Sequence, residues 1–298
     1  MRKIIEFLKL FKQAYIDLSK KDPLIMASST AYFTLFALPA IFFVLLNVLG
    51  ILLNPEIVSG QLFRRLQDLL GSDIANQVEQ ILGYFQNIES NWKFLIVGSV
   101  FFFIVSTTLF IVIEKSINKL WDIMPRPKNK FLGVLKKRVV SLLVILIGGI
   151  LVLLSLVIDT LINILQDFLP DIIFNIDIVA LAIINKVVAF SIITLWFALL
   201  FKMIPDARIK WKIVWVGAII TSILFTGGMI LLRFLFIDKF GEIYGSASAI
   251  VSLLIFIFYV SLLIYYGAAF TKAFAVYKGE KVKPSKHAVN FTINIENK

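Results

Sequence analysis

Six long apolar stretches, residues 26–53, 94–113, 139–158, 187–201, 213–237 and 246–271, are each almost free of charge. A helix needs about 20 apolar residues to cross ~30 Å of hydrocarbon. A typical soluble domain is about a quarter charged. This chain of 298 residues is 16% charged and 59% hydrophobic, with mean hydropathy +0.92. The pattern predicts an all-α, polytopic membrane protein with six transmembrane helices. Residues 26–276 form that domain, between a basic amphipathic segment at 1–25 and a polar tail at 277–298. Charges run throughout 1–25, so no cleavable signal peptide is expected there.

The charge pattern predicts orientation. Of the 30 Lys and Arg, 24 fall on the N-terminal stretch, the loops around 115–138 and 202–212, and the C-terminal tail. Only Arg64, Arg65, Lys93, Arg233 and Lys239 fall on the other side, and Lys186 lies between. Cytoplasmic loops collect Lys and Arg, so both termini are expected in the cytoplasm. The loop holding Asp159, Asp167, Asp171 and Asp177 has no base and is expected outside. The net charge of +11 then reflects topology and anionic lipid head groups. Nucleic acid is not an expected partner. A homo-oligomer is left open.

Within this frame, Ile4, Phe7, Leu8, Phe11, Tyr15 and Leu18 recur at helical spacing. They form either a helix lying on the inner surface or one packed under the bundle. Asp22-Pro23 marks a break, since Pro suits a first helical turn. Pro39 sits mid-span and removes a backbone donor; it reads as a packing kink. Residues 56–89 form two amphipathic stripes, meeting at Gly71-Ser72, in the first external loop. The fourth span begins at either Ile178 or Val187. Gly241, Gly245 and Ala249 are spaced for close helix contact. Residues 279–298 are polar and aperiodic and read as disordered. No internal repeat is visible.

Four segments carry a resemblance. Ala31-Tyr32-Phe33-Thr34-Leu35-Phe36-Ala37-Leu38-Pro39 resembles the aromatic, proline-ended first span of the YihY/BrkB family. Ile117-Asn118-Lys119-Leu120-Trp121 resembles its Leu-Asn-x-x-Trp segment. Ile204-Pro205 with Trp211 resembles its Pro…Trp loop. Ile243-Tyr244-Gly245-Ser246, followed by Tyr266-Gly267-Ala268, resembles its Tyr-Gly-Ser…Gly-Ala ending. One departure is visible: where the family usually has an acid after the final Gly-Ala, this chain has Ala269 and Phe270. The resemblance implies a six-helix bacterial inner-membrane protein. Some members carry the label ribonuclease BN. The residues here argue against that chemistry. Metal-assisted cleavage needs clustered ligands, whereas this chain has no Cys and a single histidine, His287. No metal site and no cofactor are expected.

Ionisable residues inside a membrane are costly and often functional. Lys186, beside Asn185, is the leading candidate. If the span begins at Ile178, it lies ~12 Å deep at 1.5 Å per residue; if at Val187, it snorkels outward. Arg233 sits one turn before the outer end of its span, near Asp238 and Glu242. Tyr32, Thr34 and Tyr244 are polar groups in apolar settings that could line a path. Glu114 and Lys115 read as a solvated helix end. Asn118 and Trp121 are read as anchors of an inner loop, with Pro39 and Gly245 as structural. The leading expectation is a transporter or a lipid- or amphiphile-handling protein without covalent chemistry. The alternative is a structural or assembly factor of the envelope; a membrane enzyme ranks third.

Overall fold

The computed structural model describes residues 2–52, 92–126, 130–168, 178–232, 248–286 and 288–291, together with isolated positions between 60 and 79. The expected amphipathic pair at 56–89, and Arg233, Tyr244 and Gly245, lie outside the described residues. Seven helices are described: α1 (Arg2–Ser19), α2 (Pro23–Leu52), α3 (Trp92–Leu120), α4 (Lys130–Phe168), α5 (Ile178–Met203), α6 (Trp211–Leu232) and α7 (Ser248–Tyr277). Five of them, α2, α4, α5, α6 and α7, contain a described stretch long and apolar enough to cross a membrane.

The helices follow one another around a ring. Each of α2 to α6 packs on its successor, and α7 returns to pack on α2. Outward faces are apolar: Phe36, Ile184, Ile223 and Ile230 are all exposed. Exposed side chains of this kind are tolerated where lipid replaces water.

Close contact holds α6 to α7. A Cβ added to Gly217 would sit 1.8 Å from Thr271 Oγ1, and one on Gly267 would sit 1.9 Å from Thr221 Oγ1. The two Gly–Thr pairs are reciprocal across the antiparallel helices. Each Thr hydroxyl donates to the Gly carbonyl four residues back in its own helix, at 2.8 Å for Thr221 and 2.7 Å for Thr271. The hydroxyl is thus satisfied locally while its bulk fills the neighbour's gap, the small-residue packing that membrane helices favour. Gly148 receives the Trp196 ring in the same way. Between α2 and α7, Thr30 hydrogen-bonds the fully buried Tyr265 hydroxyl.

The segment α1 is packed against the bundle. Leu10, Ala14 and Leu18 are buried, and Phe11 meets Phe270 of α7 at a centroid distance of 4.9 Å. Ala269 and Phe270, which follow the Gly-Ala pair where the family resemblance expects an acid, are both buried, Phe270 within this aromatic contact. Ile5, Leu8 and Tyr15 on the other face of α1 remain exposed. Asp22, at φ 57°, makes the turn into α2, which opens on Pro23.

Four short strands depart from a purely helical chain. β1 (Ile123–Pro125) pairs with β4 (Ala288–Asn290), and β2 (Ala207–Arg208) pairs with β3 (Lys283–Pro284), both antiparallel. The expectation of a disordered tail from 279 is therefore corrected as far as Phe291. Aperiodic sequence misled because the tail finds partners in two interhelical loops. It reaches them through a tight stop to α7: Glu280 N–H bonds Ala275 O and Gly279 N–H bonds Val276 O, both at 2.9 Å. Gly279, at φ 69°, supplies the left-handed residue that this ending requires. The strands, α1 and every described interhelical ion pair lie at one end of the bundle, here termed the terminal end.

Candidate functional site

Three polar groupings occupy the terminal end. The most buried surrounds Glu114, which follows Ile113, the last residue of the apolar stretch 94–113. Glu114 is 5% exposed. Its Oε1 accepts Lys137 Nζ from α4 and Asn118 Nδ2 at 3.4 Å. Lys137 Nζ also donates to Asp206 Oδ2 at 3.1 Å, and Asn118 Nδ2 donates to that same oxygen at 3.2 Å. Asn118 Oδ1 accepts the backbone N–H of Asp206 at 2.9 Å. Burial pushes the Glu114 carboxyl up to about 8; Lys137 pulls it down and the Asp206 carboxylate raises it.

The expectation that Glu114 ends in solvent is thus overturned. No Lys stands four residues away on α3, but α4 packs on α3 at this level and brings Lys137 from 23 residues off. A signal was present: an acid closes one apolar stretch, and Lys136-Lys137-Arg138 opens the next.

The second grouping centres on Asp122, held in a left-handed turn at φ 54°. Lys21 donates to its Oδ1 at 2.7 Å and Lys272 to its Oδ2 at 2.6 Å. Lys272 also caps the end of α3 through Leu120 O at 2.9 Å. Burial would raise the Asp122 carboxyl, but these two ammonium groups override it and hold it below the ordinary value. Trp121 Nε1 donates to Ala268 O at 2.8 Å and binds the end of α3 to α7.

The third grouping is an open cleft of about 560 Å³ between β2, β3 and the end of α7. Arg208, Lys210, Lys281 and Lys283 line it, over a floor of Ile209 and Ala275. Glu280 also lines it and pairs with Lys210 at 2.9 Å. Arg208 stands directly opposite Lys283 in the β2–β3 ladder. Like charges directly opposite each other destabilise a strand pair, and an anion between them would relieve that repulsion.

The remaining predicted residues are dispersed. α5 begins at Ile178, so Lys186 lies eight residues in. It is exposed, and Asn185 beside it is half-buried. Tyr32 is exposed on α2, where its ring meets Phe36 at 4.9 Å. Thr34 Oγ1 donates to Thr30 O at 2.7 Å. Pro39 lies inside the continuous helix α2. No group of three His, Cys, Asp or Glu side chains able to hold a metal occurs among the described residues.

A ring of apolar-faced helices, closed by charges at one end, defines a multi-pass integral membrane protein. The comparison with known families makes this specific. The chain matches the family described as Virulence factor BrkB over residues 14–292 and belongs to it. It is also similar to the UPF0761 membrane protein of Idiomarina loihiensis, 24% identical over 221 residues that cover 73% of this chain and 75% of that protein. No solved structure matches. The family and the candidate spans together place the protein in the bacterial inner membrane.

Proposed function

We propose that this protein handles an anionic amphiphile, of the phospholipid class, at the inner face of the cytoplasmic membrane and does no covalent chemistry. In this reading the apolar part of α3, Trp92 to Ile113, is the sixth span, and Glu114 lies beyond its inner end. Both termini and the terminal end face the cytoplasm, and residues 56–89 form amphipathic helices outside. The observation that carries the reading is the basic cleft. Four cations and one carboxylate line a concavity, beside helices whose outer faces are apolar. A phosphate head group fits the first and an acyl chain fits the second. Cations near an anionic leaflet attract it by about 1 kcal/mol each. Lys186, Asn185, Arg233, Tyr32, Thr34 and Tyr244 are the residues proposed to line the route through the bundle. A homo-oligomer fits this reading as well as a monomer does.

A structural or assembly role is the second reading. The exposed placement of Tyr32 and Lys186 favours it, since neither needs to line a route. Proteoliposomes carrying fluorescent phosphatidylglycerol separate the two. The handling reading expects flux that falls with Lys186→Ala or Arg233→Ala while protein abundance stays unchanged. Failure of both variants to accumulate, or full flux in both, turns the conclusion to the structural role.

A further inference from the structure

We propose that the buried cluster of Glu114, Lys137, Asp206 and Asn118 is a proton-binding site whose occupancy sets the geometry of the basic cleft. The proposal rests in part on the reading of that cleft as an anion site, and its test has a separate arm for each half.

Charge balance is the first argument. Two carboxylates share one ammonium, and the remaining partner, Asn118, is neutral. The cluster therefore carries one uncompensated negative charge when every group is ionised. It does so where the Glu114 side chain is 6% exposed. Burying an unpaired charge is expensive, and such groups neutralise instead. One proton restores neutrality, and a carboxyl pair sharing a site takes it up as a unit.

Among the described residues no other cation is spare to do this; Lys119 of α3 is held by Lys21 O and Asp22. On α3, Lys115 is exposed. On α4, Lys136 is exposed, and Arg138 is engaged with Ile104 O and Thr107 Oγ1. Lys202, at the end of α5, donates to Ile209 O. Lys272 of α7 is bound to Asp122 and Leu120 O. Arg208, two residues beyond Asp206, lines the cleft. Burial and the neighbouring Asp206 both shift Glu114 towards holding a proton near neutral pH.

The mechanical link is the second argument. Asp206 is bound to the cluster twice, through its carboxylate and through its N–H. Its carbonyl accepts Ser285 N–H at 2.9 Å. The next two residues, Ala207 and Arg208, are strand β2, one wall of the cleft, and β3 is the other. With Glu114 ionised, Lys137 divides between two carboxylates. With Glu114 protonated, Lys137 is left to Asp206 alone and draws it towards α4. The cleft wall follows because it is continuous with Asp206.

Infrared difference spectra of the purified protein test the proton, and co-sedimentation with phosphatidylglycerol vesicles tests the cleft. The wild type is expected to show a protonated carboxyl band that disappears between about pH 6 and about pH 9, the range in which a raised carboxyl titrates. Glu114→Gln removes that band. Vesicle binding by the wild type should differ severalfold between those two conditions. In Glu114→Gln, which mimics the protonated state, it should stay at the low-pH level throughout. Asp206→Asn serves if the first variant does not fold; it should lower the midpoint of the band. A band unaffected by both substitutions overturns the proton site, as does a transition that follows sodium rather than pH. Equal pH dependence of vesicle binding in wild type and Glu114→Gln overturns the link to the cleft. Binding of neither vesicles nor inorganic phosphate at any pH, with the infrared titration intact, rejects the cleft as an anion site and leaves the proton site standing. Binding of inorganic phosphate but not vesicles assigns the cleft to free anions.

Discussion

Two regions, the α6–α7 seam and the loops of the terminal end, are held by opposite means. Along the seam, α6 and α7 meet at Gly217–Thr271 and Thr221–Gly267, with both threonine hydroxyls turned back on their own helices. At the end, the helices are joined through Lys21, Asp122, Lys137, Asp206 and Lys272. The contrast follows from the surroundings. Lipid offers helices no hydrophobic drive to associate, so shape and dispersion must do it. Near the membrane surface charges can be hydrated before pairing, so ion pairs become usable there. Glu114, at the inner limit of its apolar stretch, is the buried exception, and it is met by two donors, Lys137 and Asn118.

Perturbing each region sharpens this contrast. The largest effect is expected from Lys137→Met, which leaves the buried Glu114 and the half-buried Asp206 without their ammonium. Breaking a buried pair in this way costs about 3 kcal/mol, read as a lower unfolding midpoint in detergent. Gly217→Ala in the α6–α7 seam comes next. Its Cβ would meet Thr271 Oγ1 at 1.8 Å, and overpacking of this kind costs about 2 kcal/mol. Thr271→Ala in the same chain should restore most of that loss; no rescue would mean that the contact is not what limits stability. At the outer rim of the terminal end, Lys210→Ala removes an exposed pair with Glu280 and should change stability by less than ~0.5 kcal/mol.

The pH dependence also separates the two regions. Glu114 holds its proton more tightly when folded than when unfolded, because burial raises it from 4.5 to about 8. Its stabilising contribution is complete below 4.5 and is lost as pH climbs through about 8. Thermal stability of the wild type should fall across that window, and Glu114→Gln should flatten the fall. Gly217→Ala should leave its shape unchanged. An identical slope in wild type and Glu114→Gln would assign the titration to another group.

The architecture was largely legible because apolar runs of membrane length report directly on what surrounds a helix. Boundaries were less so: the start of α5 was left open between Ile178 and Val187, although the stretch from Val187 alone is too short to span, since only packing decides where an apolar helix begins. Asn118 and Trp121 stood out by motif, yet their partners did not. Asp206 lies 88 residues from Asn118, and Ala268 lies 147 residues from Trp121. Composition could not pair them, because pairing depends on which helix ends the ring brings together. The Gly217–Thr271 contact was hidden for the same reason. The strands of the tail were illegible on a different ground: two- and three-residue ladders carry no periodicity.

The return of α7 to α2 bears on how the molecule is made. The ribosome releases α2 before the other helices of the ring and α7 after them, so the seam between the two stays open until the rest of the ring has been inserted. Until then Thr30 lacks Tyr265 and α1 has no aromatic surface to rest on. A nascent chain halted before α7 is therefore an unfinished circle with an exposed inner edge.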